Sequence, residues 1–469
     1  MLGGARLLNQ ALALASPLLL VRLLDIVEYG RYRQFMATAM LIASLGGFAL
    51  SANLNYLISR TPERAATDIT KTSVLMLLVA LLSALIIAAG RQWIVPDEIA
   101  GSWLLLAVYV FLFLNLEVLV SYWLAHGRSF EVMVYTLVTT VWRLGTLLGA
   151  ALYFREVEMI FVTLVCAEAL KNVAIYLWLR SRRLLVFRWE HEVFREQIRL
   201  VAPQGLASLL NKANDFGKVV VGTQLGPVPL ALYTTAAYQV PLVNIVQTSF
   251  SDVIFPDMVK RAKKDPLEGL RLWKRAQSLS FAVICPAWLL LTYFAEPLVR
   301  IAFTDAYVAA TPFFQVFLLL MVRQCFEFTV PLRSVGDNTS FAIANAIALA
   351  INATLLFTLM PRYGLWGPTL GLVVGQTWTA FYLGRRVLKR YALPLAQLCD
   401  WGKLAFAFAA SLVALAATHG VLTYLGPTAL GTVAALAVFA LVYAGAARFI
   451  LREEYGYLMR ALGLGRKTA

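Results

Sequence analysis

Apolar positions in this chain do not alternate with polar ones over most of its length; they run together. Runs of about 20 such residues are long enough to cross a hydrocarbon layer of about 30 Å as helix. They recur near residues 4–24, 32–58, 73–90, 101–125, 132–154, 157–179, 200–223, 228–255, 277–295, 308–332, 339–360, 364–384, 402–425 and 427–450. In lipid the backbone must satisfy its own hydrogen bonds. The pattern therefore predicts an all-α polytopic membrane protein with about 14 transmembrane helices. The first run exceeds the 7–15 residues of a signal-peptide core and leads straight into the second, so it is read as a retained helix.

Composition agrees. The 469 residues are 60% hydrophobic and only 14% charged, with mean hydropathy +0.72, against about 25% charged in a soluble domain. A net charge of +15 would suggest nucleic acid in a soluble protein, but topology accounts for it. With the loops numbered alternately from a cytoplasmic N-terminus, 29 of the 41 Lys and Arg fall on the cytoplasmic side. Seven (Arg22, Arg31, Arg33, Arg91, Arg155, Arg300 and Arg362) fall on the other, and five lie inside spans. This bias predicts both termini in the cytoplasm and a cytoplasmic (inner) membrane location. The basic loops then orient the chain and meet anionic membrane lipids, leaving no role for nucleic acid. Cys166, Cys285, Cys325 and Cys399 are scattered singly, and the three histidines form no metal-binding spacing, so no cofactor is expected.

The basic stretch after the sixth span divides the chain. Residues 1–180 are read as a six-helix lobe, 181–199 as a cytoplasmic linker, 200–390 as a second six-helix lobe, and 391–469 as two additional helices with a basic tail. "LLDIVEYGRY" (23–32) and "QLGPVPLALY" (224–233) occupy equivalent positions and share a Leu and a Tyr, an echo suited to a repeated-lobe transporter. Between residues 404 and 447 there is no Asp, Glu, Lys or Arg, so the final pair is set apart from any charged pathway.

Elsewhere the oil contains charge. Arg143, Lys171, Lys212, Lys218 and Arg323, with Glu117, Glu168, Asp215 and Glu327, fall within spans, each at a cost of about 2.5–3.5 kcal/mol at the centre of an inserting helix. Gln204, Ser208, Asn211, Asp215, Lys218 and Gly222 share one helix face, as do Thr136, Thr140, Arg143 and Thr146. Two readings stand. Lys212/Asp215/Lys218, Glu168/Lys171 and Arg323/Glu327 are neutralised pairs that hold helices together, or these faces line a polar cavity. Arg143 has no acid at helical spacing, and two lysines face one aspartate in the seventh span. That surplus of base favours a cavity for an anionic, phosphate-bearing ligand.

Four stretches in order resemble a known family: "RLLDIVEYGRYRQF" (22–35), "NDFGKVVVGTQLGPVPLALYTTAAYQVPLVNIVQTSFSDVIFPDM" (214–258), "DAYVAATPFFQVFLL" (305–319) and "MPRYGLWGPTLGLVVGQ" (360–376). They are similar to polysaccharide (O-antigen repeat-unit) flippases of the multidrug/oligosaccharidyl-lipid/polysaccharide exporter superfamily. The resemblance implies two six-helix lobes plus two helices, and translocation of a polyprenyl-diphosphate-linked oligosaccharide by alternating access through a cationic central cavity. It further implies no enzymatic step, coupling to a proton or sodium gradient, and cooperation with polysaccharide-assembly proteins. Carried over by position, Arg143, Lys171, Lys212, Lys218 and Arg323 are the candidate substrate-binding cations. Asp215, with Glu168, Glu327 and Asn211, forms the candidate coupling and polar set. A lipid II flippase is a close alternative, and a drug/cation antiporter of the same superfamily would favour an anionic cavity. A membrane glycosyl polymerase or ligase would carry a large external loop, whereas the longest outward loops here are about ten residues.

Overall fold

The computed structural model describes residues 15–46, 54, 57–58, 61–114, 118–186, 216–238, 258, 265–335, 337 and 339–450, and every regular element among them is helical. Residues 15–23 form α1. There follow α2 (Ile26–Gly46), α3 (Ala65–Ala89), α4 (Trp103–Phe113), α5 (Val118–Ala125), α6 (Ser129–Tyr153), α7 (Val157–Ser181), α8 (Phe216–Leu225) and α9 (Pro227–Ala236). The remainder are α10 (Pro266–Tyr293), α11 (Ala295–Phe303), α12 (Thr311–Gln324), α13 (Thr329–Ser334), α14 (Thr339–Tyr363), α15 (Trp366–Tyr391), α16 (Trp401–Leu425) and α17 (Ala429–Ile450). Nine stretches among the described residues are long and apolar enough to span a membrane. They follow the apolar runs closely: Val157–Ser181 against 157–179, and Trp401–Leu425 against 402–425. Leu77, Leu78, Leu81, Leu82, Leu85 and Ile86 of α3 are 44 to 58% exposed. So continuous an exposed apolar face suits a hydrocarbon surround.

Polar residues mark where helices begin. Asp25 Oδ1 accepts from the backbone N–H groups of Val27 and Glu28 (2.8 and 2.9 Å) and so caps α2. Asp265 does the same for α10 through Leu267 N at 2.9 Å, followed by Pro266 at the first helical position. Ahead of α14, Asp337 accepts from the backbone N of Ser340 (3.1 Å) and from its hydroxyl (2.8 Å), and Arg386 of α15 lies 3.5 Å away. Burial raises the Asp337 carboxyl, but the Ser340 hydrogen bonds and the Arg386 charge outweigh it, so its pKa lies below the usual carboxylate value.

The chain forms two compact units: residues 1–235 with 300–310 and 356–368, and residues 236–299 with 311–355 and 369–469. In the first, α2 packs against α3, α4, α7 and α8. Its Phe35 is fully buried and stacks on Phe161 of α7 with centroids 4.0 Å apart. In the second, α10 contacts α12 and α16, and α16 pairs along its length with α17. Tyr443 of α17 donates to the Ala282 carbonyl on α10 (2.5 Å), and Ser411 and Thr418 of α16 are fully buried.

Candidate functional site

Within the first unit, α1, α2, α6, α7 and α8 surround a cavity of about 670 Å³, a volume ordinary for a small-molecule site. One stripe of α2 supplies a wall: Tyr32, Arg33, Met36, Ala37, Met40, Leu41 and Ser44 recur at helical spacing. Thr139, Thr140, Arg143, Leu144 and Leu147 of α6 form another, and Lys171, Lys218, Ser16 and Pro17 complete the lining. Four bases therefore face one space, and no carboxylate is in its wall among the described residues.

Helix α6 is two-faced. Its Val134, Val138 and Val141 are 40, 60 and 56% exposed, while Arg143 turns to the cavity. Thr136 donates to the Val132 carbonyl (2.7 Å) and Thr146 to that of Trp142 (2.9 Å). Neither is in the cavity wall, so their hydroxyls serve the helix rather than a ligand. The Trp142 indole donates to the Ala167 carbonyl (3.3 Å) and ties α6 to α7. Tyr109, Tyr32 and Glu168 are the electrostatic neighbours of Arg143. No carboxylate among the described residues forms an ion pair with it.

Lys171 is different. Its Nζ lies 2.6 Å from Glu168 Oε2, with the two side chains 16% and 6% exposed. Asn172 donates to the Leu112 carbonyl of α4 and to the Glu168 carbonyl, both at 2.9 Å, and so fixes this turn of α7. Lys171 is at once a paired charge and part of the cavity wall.

The sequence reading puts Arg33 in an outward loop. The structure places it in the second turn of α2, facing the cavity, because that helix begins at Ile26. Its Nε is buried with no hydrogen-bond partner among the described residues, as is the Tyr109 hydroxyl. Buried donors without partners are uncommon, and this one belongs to a residue of the cationic wall. Arg33 and Ser44, three helical turns apart on one face of α2, were the signal in the sequence.

Other candidates lie elsewhere. Lys212, Asp215, Asn211 and Glu117 fall outside the described residues. Arg323 and Glu327 belong to the second unit. Arg323 donates through Nη1 to Glu327 (3.1 Å), through Nε to the Gln376 carbonyl (3.0 Å) and through Nη2 to Thr379, and Thr329 donates to Glu327. This network brackets the break between α12 and α13, where residues 325–328 leave the helix.

The wall carries a surplus of positive charge even with Lys171 paired to Glu168, and a low dielectric screens such charge little. Among the described residues no cluster of His, Cys, Asp and Glu could hold a metal ion.

No curated protein matches the sequence. Solved structures do match the fold. A lipid II flippase, MurJ, in an inward closed conformation is similar with TM-score 0.74 at 12% identity, covering 96% of this chain and 100% of that one. An inward-facing multidrug resistance MATE family transporter of the MOP superfamily gives 0.59 at 14%, covering 82% and 94%. A MOP superfamily transporter from Pyrococcus furiosus, described by the reverse polarity of its binding pocket, gives 0.53 at 16%, covering 83% and 94%. At these identities the likeness establishes the fold. The sequence itself fits the model of a family described as polysaccharide biosynthesis protein over residues 19–312, more than half its length. On that match, and on the fold of MOP-superfamily transporters, the chain belongs to the polysaccharide biosynthesis protein family.

Proposed function

We propose that this protein is a flippase that carries a polyprenyl-diphosphate-linked oligosaccharide from the cytoplasmic to the outer leaflet of a bacterial cytoplasmic membrane by alternating access. The observation that carries this reading is the cavity wall of Arg33, Arg143, Lys171 and Lys218, with the Arg33 Nε unpartnered. A diphosphate cannot cross hydrocarbon unaided, since unpaired charge in a low dielectric costs many kcal/mol. Arginines in a polar cleft replace its hydration with charge-assisted hydrogen bonds. Threonine hydroxyls and the methionines beside them suit a sugar headgroup of varied polarity. No covalent bond changes in this process, so no catalytic residue is assigned. A proton or sodium gradient is the proposed driving force, with Glu168 and Asp215 as candidate coupling residues. Arg323 and Glu327 serve as a structural bracket rather than as ligands, since their hydrogen bonds are spent on each other and on α15.

The fold match to a lipid II flippase favours a second substrate of the same chemistry, a lipid-linked muropeptide. The test is reconstitution into liposomes with a fluorescent polyprenyl-diphosphate oligosaccharide, followed by its protection from an external glycosidase. Protein-dependent crossing of the oligosaccharide, with slower crossing of lipid II, supports the proposal. Crossing of lipid II alone selects the second reading, and crossing of neither refutes both.

A further inference from the structure

The turn between α5 and α6 meets the end of α7 around a cluster of aromatic rings. Trp178 of α7 lies edge-on to Trp123, with centroids 5.5 Å apart, and to Tyr122 at 6.1 Å. Trp123 meets Tyr135 at 5.5 Å. The turn is closed by Gly127, whose φ of +68° favours glycine, and by Arg128 N donating to the Trp123 carbonyl at 2.9 Å. Past α7, Thr70 of α3 accepts from Val186 N at 2.9 Å and so holds the emerging chain in place.

Arginines rim these rings. The Arg182 guanidinium sits 5.7 Å from the Trp178 ring centroid. Arg180 and Arg183, which flank it in sequence, are exposed, as is Arg128 in the turn, and Glu131 follows in the first turn of α6. Below them, Leu170, Val173 and Leu177 are 57, 55 and 61% exposed at helical spacing, and the same face of α7 continues to Arg180. Trp and Tyr gather at the depth of lipid headgroups, and bases there attract anionic lipid.

We propose that this corner is a binding site for an acidic phospholipid. Its phosphate lies among Arg180, Arg182 and Arg183, and one acyl chain runs along Leu170, Val173 and Leu177. The strip offers the chain an apolar track, the indole of Trp178 lies against Arg182, and the run of Arg180, Arg182 and Arg183 selects an anionic headgroup over a zwitterionic one. The inference does not depend on what the cavity carries.

The probe is phosphatidylglycerol, with phosphatidylcholine as the zwitterionic comparison, titrated onto the full-length protein and followed by native mass spectrometry. Each base near an anionic lipid surface contributes roughly a fivefold gain in affinity, so Arg182→Gln with Arg183→Gln should weaken phosphatidylglycerol binding at least about tenfold. Arg362→Gln, at the end of α14, should leave it unchanged. Wild type should prefer phosphatidylglycerol by a similar factor. Equal retention of the two lipids, or unchanged binding in the double variant, overturns the site. If the double variant aggregates, the single exposed changes Arg180→Gln and Arg128→Gln decide the matter by the same readout, each expected to lose roughly fivefold.

Discussion

Helix α2 crosses the start of α9 at Gly30, and that contact is tighter than any side chain allows. A Cβ on residue 30 would lie 2.1 Å from the Pro227 carbonyl oxygen and 2.5 Å from its carbon. Carbon contacts settle at about 3.5–4.0 Å, so Gly30→Ala must drive the two backbones apart by more than about 1 Å. Backbone cannot rotate out of the way as a side chain can. Overpacking of this kind costs about 1–3 kcal/mol, and alanine returns about 0.5–1 kcal/mol through its better helix propensity. The crossing is then weakened by up to about 2.5 kcal/mol, roughly 70-fold in population at the upper end. Gly222 provides the contrast, since its nearest neighbour is the end of the Gln34 side chain, which can swing aside. Gly145 and Gly149 of α6 provide the control, with nothing within 4 Å of an added Cβ. Thermal unfolding of the purified variants should rank Gly30→Ala lowest and Gly222→Ala next, with Gly145→Ala at or above wild type. Because Tyr32 and Arg33 follow within one turn of Gly30, the loosened crossing should also admit solvent to the cavity, read as faster labelling of a cysteine placed at Ser44. A Gly30→Ala protein as stable as wild type, with unchanged labelling, would refute the steric argument.

Other consequences follow from charge. Lys171→Gln strands the buried Glu168 carboxylate and should cost about 3–5 kcal/mol of stability, whereas the double change Glu168→Gln/Lys171→Gln should recover most of it in the same unfolding assay. If the two single changes simply add, the pair is not coupled. Asp337 has a folded pKa below its unfolded value, so its contribution is complete above the unfolded value near 3.9 and fades as pH falls through the folded one. Acidification across that window should therefore destabilise wild type more than Asp337→Asn; parallel unfolding curves would show that the capping interaction contributes nothing. Arg323→Gln should lower stability by leaving Glu327 without its guanidinium, yet leave binding of a diphosphate lipid unchanged within about twofold.

Much of the fold was legible because the solvent is so selective. A run such as 157–179 has no alternative in hydrocarbon to the helix found at Val157–Ser181. Arg143 and Lys171 stood out for the same reason, as charges in oil. Arg33 escaped because it lies near Glu28 and Arg31, in a stretch that reads as a polar loop until the Asp25 cap shows where the helix starts. The partners of Arg323 escaped as well. Glu327 is visible at i+4, but Gln376 and Thr379 are 53 and 56 residues away, and only the fold brings them together. The meeting of Trp123 and Trp178 is likewise a product of packing between α5 and α7, which no local pattern announces.

The central claim is that the bases in the cavity hold a diphosphate. Its most direct test is the affinity of the purified protein for a polyprenyl-diphosphate oligosaccharide, measured for wild type, Arg33→Gln and Arg143→Gln. A hydrogen bond to a charged group is worth about 1.5–3 kcal/mol, so each change should weaken binding by roughly 10- to 150-fold, while the same sugar on an uncharged polyprenyl carrier binds all three proteins alike. Affinities that do not distinguish the variants from wild type would contradict the account.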